Sequence, residues 1–232
     1  MGIINDKLDQ WYRLRLESQL EYLVPQTIKE IEVRFKFQYN NNPVVNFDMP
    51  PDLISPNNSR LSNALFRGGI YDSRTNEIHI NPDSVWPHKS GIIDTLLIYL
   101  NQDRWFIYIP DLDLKQVLAH ELGHCHNHEL LKSEGRDLLE YRLDKKYFEF
   151  RGFIEEGISV FIANEICNTH YEMKLNRINP EEIPQQYGYQ LVKPILEKHS
   201  RTGIIHLLNH DPTKKELGNP KLYQERILAE LS

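Results

Sequence analysis

Two histidines four positions apart with a glutamate between them, His120-Glu121-Leu122-Gly123-His124, are the residues of this chain best suited to chemistry. On a helix of 3.6 residues per turn they lie about 40° apart, so both imidazoles reach one ion. Glu121 is rotated about 100° from His120, which sets its carboxylate beside the ion rather than on it. A base placed there takes a proton from a metal-bound water, so the stretch is expected to be a zinc-binding active-site helix. The HExxH pattern is short and arises by chance in chains rich in His and Glu, so its surroundings have to support it. They do. Asp113 with Gln116 three residues on has capping-box spacing, and Leu114, Val117, Leu118, Leu122 and Cys125 recur on one helical face with the histidines at its margin.

A helix supplies two ligands, and a catalytic zinc takes three from the protein. A third at HExxHxxGxxH spacing is excluded, because positions 127 and 130 are Asn127 and Leu130. His128 lies about 12 Å along the axis from His120 and cannot share the ion with both histidines. His126 and His128 are expected to be solvated at the helix C-terminus, where positive charge is favourable. The third ligand is sought instead in Gly152-Phe153-Ile154-Glu155-Glu156-Gly157, where two carboxylates open an apolar helical run through Ile154, Ile158, Phe161, Ile162 and Ile166. Glu156 sits beside that stripe, next to a glycine that lets another backbone or a metal approach. The competing reading is that Glu155 and Glu156 only favour the helix N-terminus through its dipole.

Together the two stretches resemble the gluzincin group of zinc metallopeptidases, which includes thermolysin-like enzymes and zinc aminopeptidases. The resemblance covers roughly residues 66 to 210, and its specific parts are the HExxH and the Glu-Glu-Gly stretch. It implies one Zn2+ per chain held by His120, His124 and Glu156, the last because the aminopeptidase branch uses the Glu directly before the Gly. It also implies peptide-bond hydrolysis with Glu121 as general base and then general acid. In gluzincins a Tyr or His from the C-terminal part donates to the oxyanion; here the candidates are Tyr187 and Tyr189, with His206 as outsider. Two positions depart from the pattern. Val160 stands where thermolysin-like members carry Asp, which leaves Asn164 as a candidate second support for the histidines. Gln185 stands where the aminopeptidase pattern has Tyr three residues before a Gly.

The elements that must position these residues predict an α+β fold with a mainly helical C-terminal part. The resemblance implies that it is zincin-like, with a small mixed sheet packed on the HExxH helix. The chain is expected to form one catalytic domain over 1–232, with an N-terminal part to about 132 and a C-terminal part from about 137. Residues 5–24 carry a helical stripe bounded by Pro25. Ile31 to Phe37 alternates like a strand, Val44 to Phe47 is a second strand, and Gly68 to Tyr71 with Ile78 to Asn81 form a hairpin. By the resemblance, one hairpin strand is the edge that pairs with an extended substrate; His79, on a strand face, is expected to be structural. Residues 49–58 are a loop by composition, Ser90 to Asn101 a helix, Trp105 to Pro110 an apolar strand or cleft wall, and 137–150 a helix. The Glu156 helix is expected to run to about His170. Tyr187–His199, Gly203–Asn209 and Tyr223–Leu231 are expected as three more helices, with a loop from Asp211 to Asn219.

Net charge is −6, and no basic block interleaved with aromatics points to nucleic acid. No apolar run approaches the roughly 18 to 20 residues of a membrane span, and the N-terminus lacks a secretory core. Two cysteines, Cys125 and Cys167, are too few for a disulfide framework, so a cytoplasmic location is expected. The expected partner is a peptide or protein substrate. Two alternatives stand beside a general peptidase: an HExxH-fold regulator that cleaves or binds one protein partner, resembling repressor-cleaving phage-type regulators but without a DNA-binding segment, and a protein whose zinc is non-catalytic.

Overall fold

A computed structural model describes residues 2–48, 68–81, 114–136, 152–168 and 184–232. Within them the fold is mixed α+β and mostly helical, with one small sheet. In chain order the elements are α1 (Gly2–Phe35), β1 (Val44–Asn46), β2 (Gly69–Asp72), β3 (Glu77–Ile80), α2 (Leu114–Ser133), α3 (Gly152–Cys167), α4 (Pro184–Asn209), α5 (Lys214–Leu217) and α6 (Pro220–Glu230). The loop 49–58, the Asp113 cap, the Ser90–Asn101 helix, the Trp105–Pro110 run and the 137–150 helix lie outside the described residues. No described helix is long and apolar enough to cross a membrane.

The helix α2 is central. Leu114, Val117, Leu118, Leu122 and Cys125 are all buried, as their spacing predicts, and α2 packs against α1, α3, α4, β2 and β3. It stops where expected: the Gly135 N–H donates to the Lys132 carbonyl and the Arg136 N–H to that of Leu131, a backbone cap that satisfies two terminal acceptors. The sheet has order β1-β3-β2, with β1 parallel and β2 antiparallel to the central β3. Gly69 pairs with Ile80 and Asp72 with Glu77, so the expected hairpin forms, and among the described residues β2 is an edge. The helix α3 lies between α2 and α4, and α6 packs on α4.

Some expectations about the elements need correction. Pro25 does not end the first helix; α1 runs through it to Phe35, and the expected strand from Ile31 is helical. The buried residues Ile28, Ile31 and Phe35 follow the three- and four-residue period of a helix face, whereas Val33 is 71% exposed, so the alternation of Ile31, Val33 and Phe35 marks no sheet face. Pro25 and Glu21 are both exposed, so water can satisfy the Glu21 carbonyl that loses its helical donor. The two helices expected over 187–209 are found: α4 breaks between them at Ser200, whose φ of 44° is non-helical. The C-terminal loop contains a turn, α5, with a capping box between Thr213 and Glu216, and α6 begins with Pro220 at its first position, ahead of Tyr223.

Candidate metal centre

Close helix contacts bring the site together. A Cβ at Gly123, in the middle of the HExxH, would lie 2.9 Å from the Ser159 Cα, so only glycine lets α3 pass this near to α2. On the other side of α3, a Cβ at Gly157 would lie 2.3 Å from the backbone of Gly188 on α4. Glu156 precedes these two contact positions of α3, Gly157 and Ser159. Its side chain reaches the imidazoles of the neighbouring helix.

Glu156 Oε2 lies 3.3 Å from His120 Nε2, Glu156 Oε1 lies 3.5 Å from His124 Nε2, and the two Nε2 atoms are 3.2 Å apart. Ligands about 2.0–2.2 Å from a tetrahedral zinc are separated by about 3.3–3.6 Å. The three donors therefore already stand at the spacing of one zinc's coordination shell, and two imidazoles with a carboxylate are a donor set zinc accepts. Burial opposes charge on His120, but the hydrogen bond and charge of Glu156, with the charge of Glu121, outweigh it and raise its pKa. The same attraction would hold a divalent cation at this point. The side chains of His120, His124 and Glu156 are 20%, 11% and 19% exposed, so the donor cluster is sheltered but open on one side.

Glu121 is buried, and its side chain lies over Gly69: a Cβ there would meet the Glu121 Cγ at 3.0 Å and Oε1 at 3.3 Å. The glutamate of the sequence motif is thus held against the edge strand β2 while the flanking His120 and His124 turn to α3. The Tyr39 hydroxyl donates to the Leu122 carbonyl at 3.0 Å and fixes α2 within the motif itself. No sequence signal pointed to Tyr39 or Gly69, because both reach α2 from distant loops and strands.

The remaining site candidates are placed as follows. Glu155, one position before Glu156, is buried and turned about 100° around α3. Asn164 is buried two turns further along α3. Tyr187 turns its hydroxyl onto the Leu217 carbonyl and its ring edge onto Phe153, and burial raises its pKa. Tyr189 is buried with the Lys193 ammonium 5.6 Å from its ring centre, and His206 pairs with Glu230. Among the described residues none of these three makes a hydrogen bond, ion pair or ring contact with His120, His124 or Glu156.

The expected solvation of His126 is not found, and His128 is half-buried. His126 is fully buried, its ring 4.4 Å from that of Phe37 and 6.2 Å from that of Phe35, and burial lowers its pKa to about 4. His128 Nδ1 lies 2.9 Å from the Tyr71 hydroxyl. Phe35 at the end of α1 and Phe37 just after it cover His126, so that ring packs instead of facing water. His79 is structural, as expected: it is buried in β3 with Nδ1 2.8 Å from Asp48 Oδ1. Comparison of the whole chain with models of known protein families, with curated proteins and with solved structures finds no match in any of the three.

Proposed function

We propose that the protein is a zinc-dependent peptide hydrolase with a zincin-like arrangement, in which His120, His124 and Glu156 hold the metal and Glu121 is the general base. The observation that carries the reading is the convergence of three donor atoms from two helices at 3.2–3.5 Å, with a second carboxylate, that of Glu121, buried on the same helix as the histidines. When bound there, zinc supplies a Lewis acid that polarises the scissile carbonyl and lowers the pKa of water. Glu121 takes the proton of the attacking water and passes it to the leaving amine, as a base and then an acid at one position. Its burial against β2 keeps the carboxylate in one place and away from bulk water. The substrate class is an extended peptide. Among the described residues β2 is a sheet edge, and its backbone is the nearest one able to pair with such a chain beside Glu121. Tyr189 is the preferred oxyanion donor over Tyr187, whose hydroxyl is committed to the Leu217 carbonyl.

The deciding variant is Glu121→Gln. Zinc content, measured by metal analysis of the purified protein, is expected to stay near one per chain. Cleavage of an unstructured protein such as casein or of a peptide library is expected to fall by at least about a hundredfold. A wild-type protein that carries zinc but cuts no peptide favours a non-catalytic metal, and a metal-free native protein removes both readings.

A further inference from the structure

We propose that His206, His210 and Glu230 form a second site for a borderline divalent metal such as Zn2+, which fastens α6 to the end of α4. His206 lies in the last turn of α4, His210 follows one turn on, and Glu230 is the last residue of α6. His206 Nε2 is 2.8 Å from Glu230 Oε2, and the two imidazoles stack with centroids 3.9 Å apart and planes at 16°. One donor atom from each of the three residues lies within 4.8 Å of the others.

The tautomer of His210 is fixed for the purpose. Its Nδ1 lies 2.8 Å from the His206 carbonyl, an atom that only accepts, so Nδ1 carries the proton and Nε2 carries the lone pair. A backbone carbonyl holding the second ring nitrogen is the usual companion of a ligating histidine. Two imidazoles and one carboxylate suit zinc, nickel or copper and give little purchase to magnesium, which prefers oxygen donors. The site is less regular than the one at His120: His206 Nε2 and Glu230 Oε2, at 2.8 Å, are at hydrogen-bond distance and must move apart to share an ion, and the three donors only lie within 4.8 Å of one another. Arg226 Nη1 also lies 3.3 Å from Glu230 Oε1, which leaves Oε2 for the metal but places a positive charge nearby. Both features make this the weaker of two sites. His206 and Glu230 alone would serve as an ion pair between helices; His210 adds a donor that such a pair does not use, and one imidazole has to rotate out of the stack for both in-plane lone pairs to meet one ion.

Titration of the full chain with ZnCl2, followed by calorimetry and native mass spectrometry, tests this without reference to hydrolysis. The wild type is expected to take two equivalents, the second more weakly, with no response to MgCl2. His210→Ala and Glu230→Gln should each keep the first equivalent and weaken the second by at least about tenfold, the lower range seen when even an outer-shell partner of a metal site is lost. His120→Ala should do the reverse. Circular dichroism reports whether Glu230→Gln keeps α6; if it does not, His210→Ala decides, since that ring bridges no helices. Saturation of the wild type at one equivalent overturns the proposal, as does a second equivalent that survives His210→Ala.

Discussion

Adjacent carboxylates on α3 have different fates, and the difference is rotational. Glu156 points across to α2 and meets both Nε2 atoms, whereas Glu155, about 100° away, is buried on another side of the same helix. The expected consequence is that Glu156→Gln weakens zinc binding by at least about tenfold, while Glu155→Gln leaves the affinity near that of the wild type. Competition for the metal with a chromophoric chelator measures both; the opposite ranking would move the ligand to position 155. The same rotation explains which site residues could be read from the chain. His120, Glu121 and His124 are a local pattern whose geometry follows from helix pitch alone. Glu156 needed its glycine neighbour and a family resemblance to be chosen over Glu155. The burial of His126 was not legible because nothing local says what will cover the far end of α2, and Phe35 and Phe37 do so from segments far away in sequence.

At the scale of elements, the first helix separates two periodicities that the same residues satisfy. Ile31, Val33 and Phe35 fit a strand by alternation, and Thr27, Ile28, Ile31 and Phe35 fit a helix by their three- and four-residue steps. Tertiary packing decides for the helix: Ile31 is fully buried and Val33 is 71% exposed. A sheet face would treat the two alike; a helix does not. Val33→Lys is therefore expected to change stability by no more than about 0.5 kcal/mol, and Ile31→Ala to cost about 2–5 kcal/mol, in urea unfolding curves. Equal and large losses at both positions would restore the strand. The contact elements of the site were legible in a different way. Gly123 and Gly157 stand out in the sequence as small residues beside chemistry, yet their partners Ser159 and Gly188 appear only when α3 is packed between α2 and α4.

Over the whole molecule, the hairpin, the central helix and the C-terminal helices follow from period and turn chemistry, which are local. What is not local is the order β1-β3-β2, the passage of α1 through Pro25 and the pairing of α6 with α4. The contact of α5 with α6, beside that pairing, carries a pH dependence. In α5, Glu216 accepts from Arg226 Nε at 2.7 Å and from the Thr213 N–H at 2.7 Å. The Arg226 guanidinium, chiefly, and Thr213 stabilise the carboxylate against the opposing effect of burial, and its pKa falls from 4.5 to about 2. The sign follows from proton linkage. An unfolded chain takes up the proton near pH 4.5, whereas the folded one holds the carboxylate ionised to about pH 2. This group's contribution is complete above about pH 4.5 and is lost as the pH falls from there towards 2. Glu216→Gln removes the carboxylate, so the variant should be less stable than the wild type at neutral pH. The gap should narrow on acidification through this window, because the wild type loses a term the variant never had. Thermal unfolding of both proteins across that pH range reads the difference directly, and a gap that stays constant with pH would assign the effect of Glu216 to packing instead of charge.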